Sequence, residues 1–273
     1  MEKEKTVSPK IKLYTAIILL LLYIAVTSLP FTLWINDVAG KIIDITLKIG
    51  FIVFAYFSID RYQLCKIKYL PDKNWKLLLF IPLVVLTFSN WIFVWIFNSP
   101  LNNSINGGIF TLTLFATLVT VFCEELLFRE IIHEALREYI KKDYLLILLS
   151  AGIFATAHFI NFFGGMDILA VLAQVGYTFV LGLILGLLKE KKAGFVALVV
   201  FHLLFNVFNN DLFSLMYQGG WNFEFVFINV AIGLVVVIYG IGMYFLLNDQ
   251  PLPFSPKNNK NDKVSNSSKE QNN

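Results

Sequence analysis

Three short segments of an otherwise apolar chain contain the side chains that could carry out chemistry. They hold Glu124, Glu125 and Arg129 in the first segment, Phe154 and His158 in the second, and His202 and Asn206 in the third. Carboxylates and imidazoles can take up and release protons, so such a set can activate a water molecule. Because ionisable groups are costly in apolar surroundings, they are the best indication of a functional site in a chain of this kind.

Helical spacing predicts different roles for the two adjacent glutamates. Glu125 and Arg129 are four residues apart, so they lie on one face of a helix and predict an internal ion pair. Glu124 points about 100° away from Glu125 in an α-helix. No cationic residue follows Glu124 at the third or fourth position. Glu124 is therefore the predicted general base.

The two histidine segments also have helical spacing. His202 and Asn206 are four residues apart, so the amide could orient the imidazole or join it in donating to an oxyanion. The same spacing predicts that Phe154 forms an aromatic wall beside His158. At about 1.5 Å per residue, Glu124, His158 and His202 lie roughly 20, 24 and 15 Å from the nearest basic flanks. We therefore expect the three groups to share one level within a membrane.

The composition indicates which elements must position these groups. Of 273 residues, 57% are hydrophobic and only 15% are charged, whereas about a quarter are charged in soluble domains. Apolar stretches long enough to cross a bilayer occur near 13–31, 39–59, 76–97, 108–136, 144–161, 168–188, 193–209 and 224–247. The predicted fold class is all-α, a polytopic membrane helix bundle of about eight transmembrane helices. With a formal net charge of +3 and no basic stripe, no nucleic-acid partner is expected.

The loops between these stretches alternate in their content of lysine and arginine. Basic residues are concentrated at the N-terminus, in every second loop and in the C-terminal tail, whereas the loops at 98–107, 162–167 and 210–223 contain none. Cytoplasmic loops are enriched in basic residues. The pattern predicts a multi-pass protein of the cell membrane with both termini in the cytoplasm.

Other residues that could suggest a site have simpler interpretations. Gly182 and Gly186 form a Gly-x-x-x-Gly pattern, which predicts close helix packing. His133 is interpreted as interfacial, near the cytoplasmic end of the fourth span. Cys65 and Cys123 are too few and too far apart for a disulfide framework or a cysteine metal cage.

Taken together, the three segments resemble the signature of the CAAX protease and bacteriocin-processing family of intramembrane proteases, also called the Abi family. The resemblance rests on Glu-Glu-x-x-x-Arg at 124–129, Phe-x-x-x-His at 154–158 and His-x-x-x-Asn at 202–206, in this order and on successive spans. It implies hydrolysis of peptide bonds within or beside the membrane. The expected partners are a peptide or membrane-protein substrate and the lipid bilayer.

The resemblance also implies a role for each matching residue. Glu124 and His158 would activate water, while His202 and Asn206 would support the tetrahedral oxyanion. The family is often labelled metalloprotease, and Glu124, His158 and His202 could supply the three protein ligands of a catalytic zinc that keeps one water. A metal-free mechanism uses the same side chains, with His202 donating to the oxyanion. The metal-free arrangement is the one we prefer on physical grounds.

Four regions follow from this interpretation. They are the N-terminal transmembrane helices and cytoplasmic loop at 1–75, a protease-like core at 76–210, a last transmembrane helix at 211–248 and a disordered cytoplasmic tail at 249–273. Two other functions stay open. One is a bacteriocin self-immunity protein of the same family, acting with or without proteolysis. The other is an ion-coupled transporter that relays protons through the buried acids and histidines, against which the lack of an internal repeat counts.

Overall fold

The computed structural model describes most of the chain up to residue 211. The described residues are 7–29, 36–71, 88–97, 101, 106–211, 213, 216–217, 231, 234–235 and 238–243. Within them the regular secondary structure is helical, which confirms the predicted all-α fold class. The predicted disordered tail at 249–273 lies outside the described residues.

The described residues form nine α-helices and two π-helical segments. They are α1 (Pro9–Thr27), α2 (Asp37–Tyr62), α3 (Ser89–Phe97), α4 (Gly107–Glu124), α5 (His133–Arg137), α6 (Asp143–Ala157), α7 (Ile160–Phe163), α8 (Ile168–Glu190) and α9 (Phe195–Asn206), with π-helical segments at Glu125–Ile132 and Val207–Asp211. The first π-helical segment joins α4 to α5 without a break, so Gly107–Arg137 forms one long helical span.

Five helical spans in this part of the chain are long and apolar enough to cross a membrane. They are Pro9–Thr27, Asp37–Tyr62, Gly107–Arg137, Asp143–Phe163 and Ala170–Glu190. They correspond to the first, second, fourth, fifth and sixth predicted spans, and they support a multi-pass membrane protein. The seventh appears as a shorter apolar helix at Phe195–Asn209.

The predicted count of eight spans is not settled by these helices. The third predicted span, 76–97, is described only from residue 88 onward, and most of the eighth, 224–247, lies outside the described residues. The boundary between the core at 76–210 and the last helix at 211–248 stays a prediction for the same reason.

Polar caps mark where three of the long helices begin. The side chain of Ser8 accepts a hydrogen bond from the Ile11 amide at the start of α1, where proline follows directly. Asn36 caps α2 in the same way, and Asn106 caps α4 through two backbone amides. Such caps satisfy amides that have no partner within the helix. The apolar runs therefore become helices with defined first residues.

Two glycines allow α6 and α8 to pack closely. A Cβ atom added at Gly182 would lie 3.0 Å from the Cα and Cβ atoms of Ala151, and one at Gly186 would lie 3.1 Å from Ile147 Cγ2. Small residues let helix backbones approach in this manner. The structure thus agrees with the packing role predicted for the Gly-x-x-x-Gly pattern. The contact holds the helix that carries His158 against α8.

The loop before the third predicted span supports the start of α9. The Phe195 amide donates to the Lys68 carbonyl at 2.7 Å, and the Val196 amide donates to the Tyr69 carbonyl at 3.1 Å. Gly194 has φ +84°, and a Cβ there would lie 2.5 Å from the Leu70 carbonyl carbon. Glycine is required at this position because any side chain would collide with the loop backbone. The loop therefore fixes the helix that carries His202.

Two lysines of α2 bind threonines of α4. Lys41 Nζ donates to Thr113 Oγ1 at 2.6 Å, and Lys48 Nζ donates to Thr120 Oγ1 at 2.9 Å. Lys48 also pairs with Asp44 at 2.7 Å. Our sequence analysis did not single out these ionisable residues of the second span. They fix α2 against α4 along two turns of each helix.

We predict that Gly182→Ala destabilises the bundle, because the new methyl group would press on the Ala151 backbone. Overpacking of this kind typically lowers the free energy of unfolding by about 1–3 kcal/mol. Gly176→Ala, in the same helix, is the matched control because its Cβ would meet no atom within 4 Å. Thermal unfolding of both variants in detergent measures the difference. Equal melting temperatures would contradict the packing role.

Candidate active site

A cavity inside the bundle collects the four predicted catalytic residues. Its volume is about 230 Å³, and Glu124, His158, His202 and Asn206 all line it. These residues come from α4, the end of α6 and α9. The helices therefore bring together groups that are far apart in sequence, as the estimate of a common level predicted.

Glu124 is the last residue of α4, and its two carboxylate oxygens have different surroundings. Oε1 accepts a hydrogen bond of 2.9 Å from the hydroxyl of Tyr23. Oε2 lies 3.6 Å from His202 Nε2, which is longer than a hydrogen bond. The residue is buried, with 7% of its surface exposed. Glu124 thus has a partner on α1, which its neighbours in sequence could not reveal.

Glu125 connects the expected ion pair to the imidazole. Its Oε2 lies 3.5 Å from Arg129 Nε, so the ion pair expected from their spacing is present. Its Oε1 also lies 2.8 Å from His202 Nδ1, a contact that the sequence analysis did not predict. As a result, the two adjacent glutamates approach the two ring nitrogens of one histidine.

A change of helix type between the two glutamates accompanies this arrangement. The π-helical segment begins at Glu125, directly after Glu124. A π-helix bonds each amide to the carbonyl five residues earlier, and such segments are frequent at functional sites. The predicted separation of the two side chains assumed an uninterrupted α-helix. The structure instead directs both carboxylates towards His202.

Phe154 provides the aromatic wall predicted for the site and is shared by three groups. Its ring centroid lies 5.0 Å from that of His158 and 5.8 Å from that of His202. Arg129 Cζ lies 4.5 Å from the same centroid, in the range of a cation–π contact. The ring is fully buried. Phe154 therefore limits the movement of both imidazoles and faces the buried guanidinium.

The end of α6 determines how His158 carries its proton. The His158 amide donates to Ala155 O at 3.1 Å instead of bonding to Phe154 O, the usual acceptor four residues earlier. Phe154 O is therefore able to accept from His158 Nδ1, at 2.9 Å. In the neutral imidazole this assigns the proton to Nδ1 and leaves Nε2 as an acceptor.

His202 and Asn206 lie together as their spacing predicted. The amide nitrogen of Asn206 is 3.3 Å from His202 Nε2, and both side chains line the cavity. With Glu125 accepting from Nδ1, the imidazole is held at both ring nitrogens. Its orientation is therefore fixed towards Glu124.

Several cavity residues were missed by sequence reasoning. They are Tyr23, Lys48, Thr120, Asn161, Gln174 and Thr178. Asn161 Nδ2 donates to Gln174 Oε1 at 2.8 Å. Lys48 could have been recognised from the sequence, because it lies four residues after an aspartate in an apolar span. Tyr23 could not have been recognised in this way, because tyrosines are common in membrane helices.

His133 lies away from the cavity, near the end of the fourth span, and its interpretation as an interfacial residue stays a prediction. The ring is fully buried, and its Nε2 lies 2.6 Å from Glu190 Oε1 of α8. Arg137 contacts the same carboxylate. A lone histidine near a predicted helix end does not reveal a partner on a distant helix, so the sequence alone could not place it.

Cys65, in the loop after α2, is not a candidate nucleophile. Burial raises the pKa of this thiol to about 12. The thiol therefore stays protonated at neutral pH, and the thiolate is the reactive form.

The possible zinc site was tested against the placement of the side chains. In the part of the chain that the structure describes, which includes Glu124, His158 and His202, no three His, Cys, Asp or Glu side chains are grouped so that they could hold a metal ion. These residue types are suitable zinc ligands, but their placement does not form a ligand set. Zinc stays an untested expectation, and the chemistry below uses only the side chains present.

One comparison with known proteins gives a match. Residues 106–208 match the model of a family described as type II CAAX prenyl endopeptidase, Rce1-like. No curated protein and no solved structure matches the chain. The matched segment contains all seven predicted site residues and excludes α1 and α2. It confirms the resemblance to the CAAX protease family over these residues.

We predict that Arg129→Leu strongly destabilises the protein, because Glu125 would lose its only neighbouring cation on the same helix. Removing one partner of a buried ion pair typically costs about 3–5 kcal/mol. The double variant Glu125→Gln, Arg129→Leu should regain much of this stability, since glutamine can still accept from His202 Nδ1. Thermal unfolding in detergent tests both.

The control for this pair is Arg61→Leu, at the exposed end of α2. It removes the same charge without uncovering a buried carboxylate, so its melting temperature should stay close to that of the wild type. The single variant Glu125→Gln completes the cycle, and a double variant whose loss of stability equals the sum of the two single losses would show that Glu125 and Arg129 are not energetically coupled.

Proposed function

We propose that this protein is an intramembrane endopeptidase that hydrolyses peptide bonds of membrane-associated or small peptide substrates. The observation that carries the proposal is the cavity lined by Glu124, His158, His202 and Asn206. All four residues belong to the segment that matches a peptidase family, and the described part of the chain has five membrane-length helical spans. We also propose that the protein resides in the cell membrane with both termini in the cytoplasm.

Glu124 and His158 are the groups that would activate water. Oε1 of Glu124 is engaged by Tyr23, so Oε2 is the oxygen suited to accept a proton from water. His158 Nε2 is an acceptor because Nδ1 donates to the backbone. A water molecule that donates to both acceptors directs a lone pair at the carbonyl carbon of a bound peptide.

The reaction can be written with the side chains alone. The water oxygen forms a bond to the carbonyl carbon while its proton passes to Glu124, which gives a tetrahedral intermediate. The carbon–nitrogen bond then breaks, and Glu124 returns the proton to the leaving amine. This pattern of a base that later acts as an acid is common to peptide hydrolysis.

His202 and Asn206 would stabilise the oxyanion of that intermediate. Glu125 accepts from His202 Nδ1, so Nε2 is the ring nitrogen that faces Glu124 and the cavity. An imidazole that gains a proton on Nε2 during the reaction would donate from it to the oxyanion, and the Asn206 amide, 3.3 Å away, would then turn from Nε2 to the same oxygen. Donors held in place before the reaction stabilise such charge most effectively.

The wall of the cavity suits a peptide backbone. Thr27, Asn161 and Gln174 line it and provide hydroxyl and amide groups. An extended peptide has unpaired amides and carbonyls, which require such partners away from water. The polar wall therefore supports a peptide as the substrate class.

We predict that Glu124→Gln abolishes cleavage, because the amide cannot accept the proton of water. General acid–base groups typically contribute about 10²–10⁴-fold to the rate. The assay follows a quenched fluorescent peptide that carries a farnesylated cysteine before its last three residues, with purified protein in detergent.

The matched control is Glu138→Gln. Glu138 lies just beyond α5, where the hydrogen bond from Lys12 lowers its pKa below the usual value. It carries the same change from acid to amide, away from the cavity, and should cleave at the wild-type rate. A Glu124→Gln protein that cleaves at the normal rate would refute the proposed role of Glu124.

We further predict that peptidase activity does not require a bound metal, because the placed side chains form no three-ligand group. Purified protein should contain less than one zinc per chain by elemental analysis, and dialysis against a strong chelator should leave its rate unchanged. Stoichiometric zinc, together with loss of activity on its removal, would support the alternative ligand set.

A further inference from the structure

Helix α1 lies outside the segment that matches the peptidase family, yet it contributes a side chain to the cavity. We propose that Tyr23 of α1 is a positioning residue, whose hydroxyl holds Glu124 so that Oε2 faces the reaction space. The inference rests on the proposed function, because it gives Glu124 the role of base. It extends the functional site beyond the matched segment.

The contact between the two residues is short and buried. The Tyr23 hydroxyl donates to Glu124 Oε1 at 2.9 Å, and the two residues are 5% and 7% exposed. A buried tyrosine hydroxyl needs a partner, and a carboxylate is a strong one. The bond joins residues 101 positions apart in sequence. It therefore connects α1 directly to the end of α4.

The tyrosine ring is held in place by aromatic neighbours on two other elements. Its centroid lies 5.5 Å from that of Phe51 on α2 and 6.1 Å from that of Phe128 in the π-helical segment. The second contact is edge to face, at 88°. Such packing restricts the ring, so the hydroxyl is a fixed donor for Glu124.

This fixed donor keeps Glu124 apart from His202. Glu124 Oε2 and His202 Nε2 are 3.6 Å apart, whereas a closed charge-assisted hydrogen bond would measure about 2.7–2.9 Å. A small rotation of the carboxylate would close this gap and consume the base in an ion pair. The hydrogen bond from Tyr23 opposes that rotation and keeps Oε2 available to water.

A neutral donor is suited to this task because it orients the carboxylate without adding a positive charge. Two buried cations nearby contact other acids. Lys48 pairs with Asp44 at 2.7 Å, and Arg129 lies 3.5 Å from Glu125. A cation directly on Glu124 would make the carboxylate a weaker base. Tyr23 instead leaves its charge for the reaction.

The test is Tyr23→Phe, which removes the hydroxyl and keeps the ring. Loss of a hydrogen bond to a charged acceptor should lower kcat about tenfold. KM should stay within about twofold of the wild type, because Tyr23 acts on Glu124 and not on substrate binding. The melting temperature should stay near that of the wild type.

The matched control is Tyr56→Phe. Tyr56 lies on α2, with its hydroxyl 3.3 Å from that of Tyr69 and away from the cavity. This variant should keep the wild-type kcat. The proposal is overturned if Tyr23→Phe leaves kcat unchanged, raises KM as much as it lowers kcat, or loses no more activity than Tyr56→Phe.

A second measurement does not depend on peptidase activity. The labelling of Glu124 by a hydrophobic carbodiimide, quantified by peptide mass spectrometry, should rise several-fold in Tyr23→Phe because the hydroxyl no longer covers Oε1. Unchanged labelling would overturn the positioning role even in an inactive protein. If the wild type cleaves no peptide but labelling rises as expected, the proposed function fails and the contact between Tyr23 and Glu124 stands.

Discussion

The arrangement of this protein depends on the burial of two adjacent carboxylates. Glu124 and Glu125 are both buried, and buried charges require hydrogen bonds or opposite charges from other elements. The chain meets this requirement with Tyr23 of α1 and His202 of α9, together with Arg129 from the same helical span. The helices are thereby joined at the level where the chemistry is proposed. Stability and reactivity thus rest on the same contacts.

The supporting helices are held by contacts that do not involve the four proposed catalytic residues. Close packing at Gly182 places α6 against α8, and the loop backbone at Lys68 anchors the start of α9. Lys48 and Thr120 join α2 to α4. Each contact fixes one helix that carries a cavity residue. Because donors and acceptors must be aligned within fractions of an ångström, a site on such anchored helices is better defined than one on loops.

Local spacing predicted the parts of the site that depend on one helix. Three pairs of residues are in contact, as their four-residue separation predicted. They are Glu125 and Arg129, Phe154 and His158, and His202 and Asn206. Contacts between helices could not be predicted, because a single sequence contains no signal for the pairing of Tyr23 with Glu124 or of His133 with Glu190. The π-helical segment was missed for another reason. The four-residue spacing of Glu125 and Arg129 was interpreted as α-helical, whereas the segment from Glu125 to Ile132 is π-helical.

The state of His158 has a consequence for how the pocket can be altered. Its Nδ1 proton is bound by the main-chain carbonyl of Phe154, which the His158 amide does not use because the helix ends there. The tautomer is thus determined by the polypeptide backbone and not by any neighbouring side chain. Under the proposed function, substitutions in the pocket wall can therefore change which peptide sequences fit without altering the acceptor nitrogen. Recognition and proton transfer are separable in the proposed peptidase, so one scaffold could acquire new cleavage preferences and keep the groups that activate water.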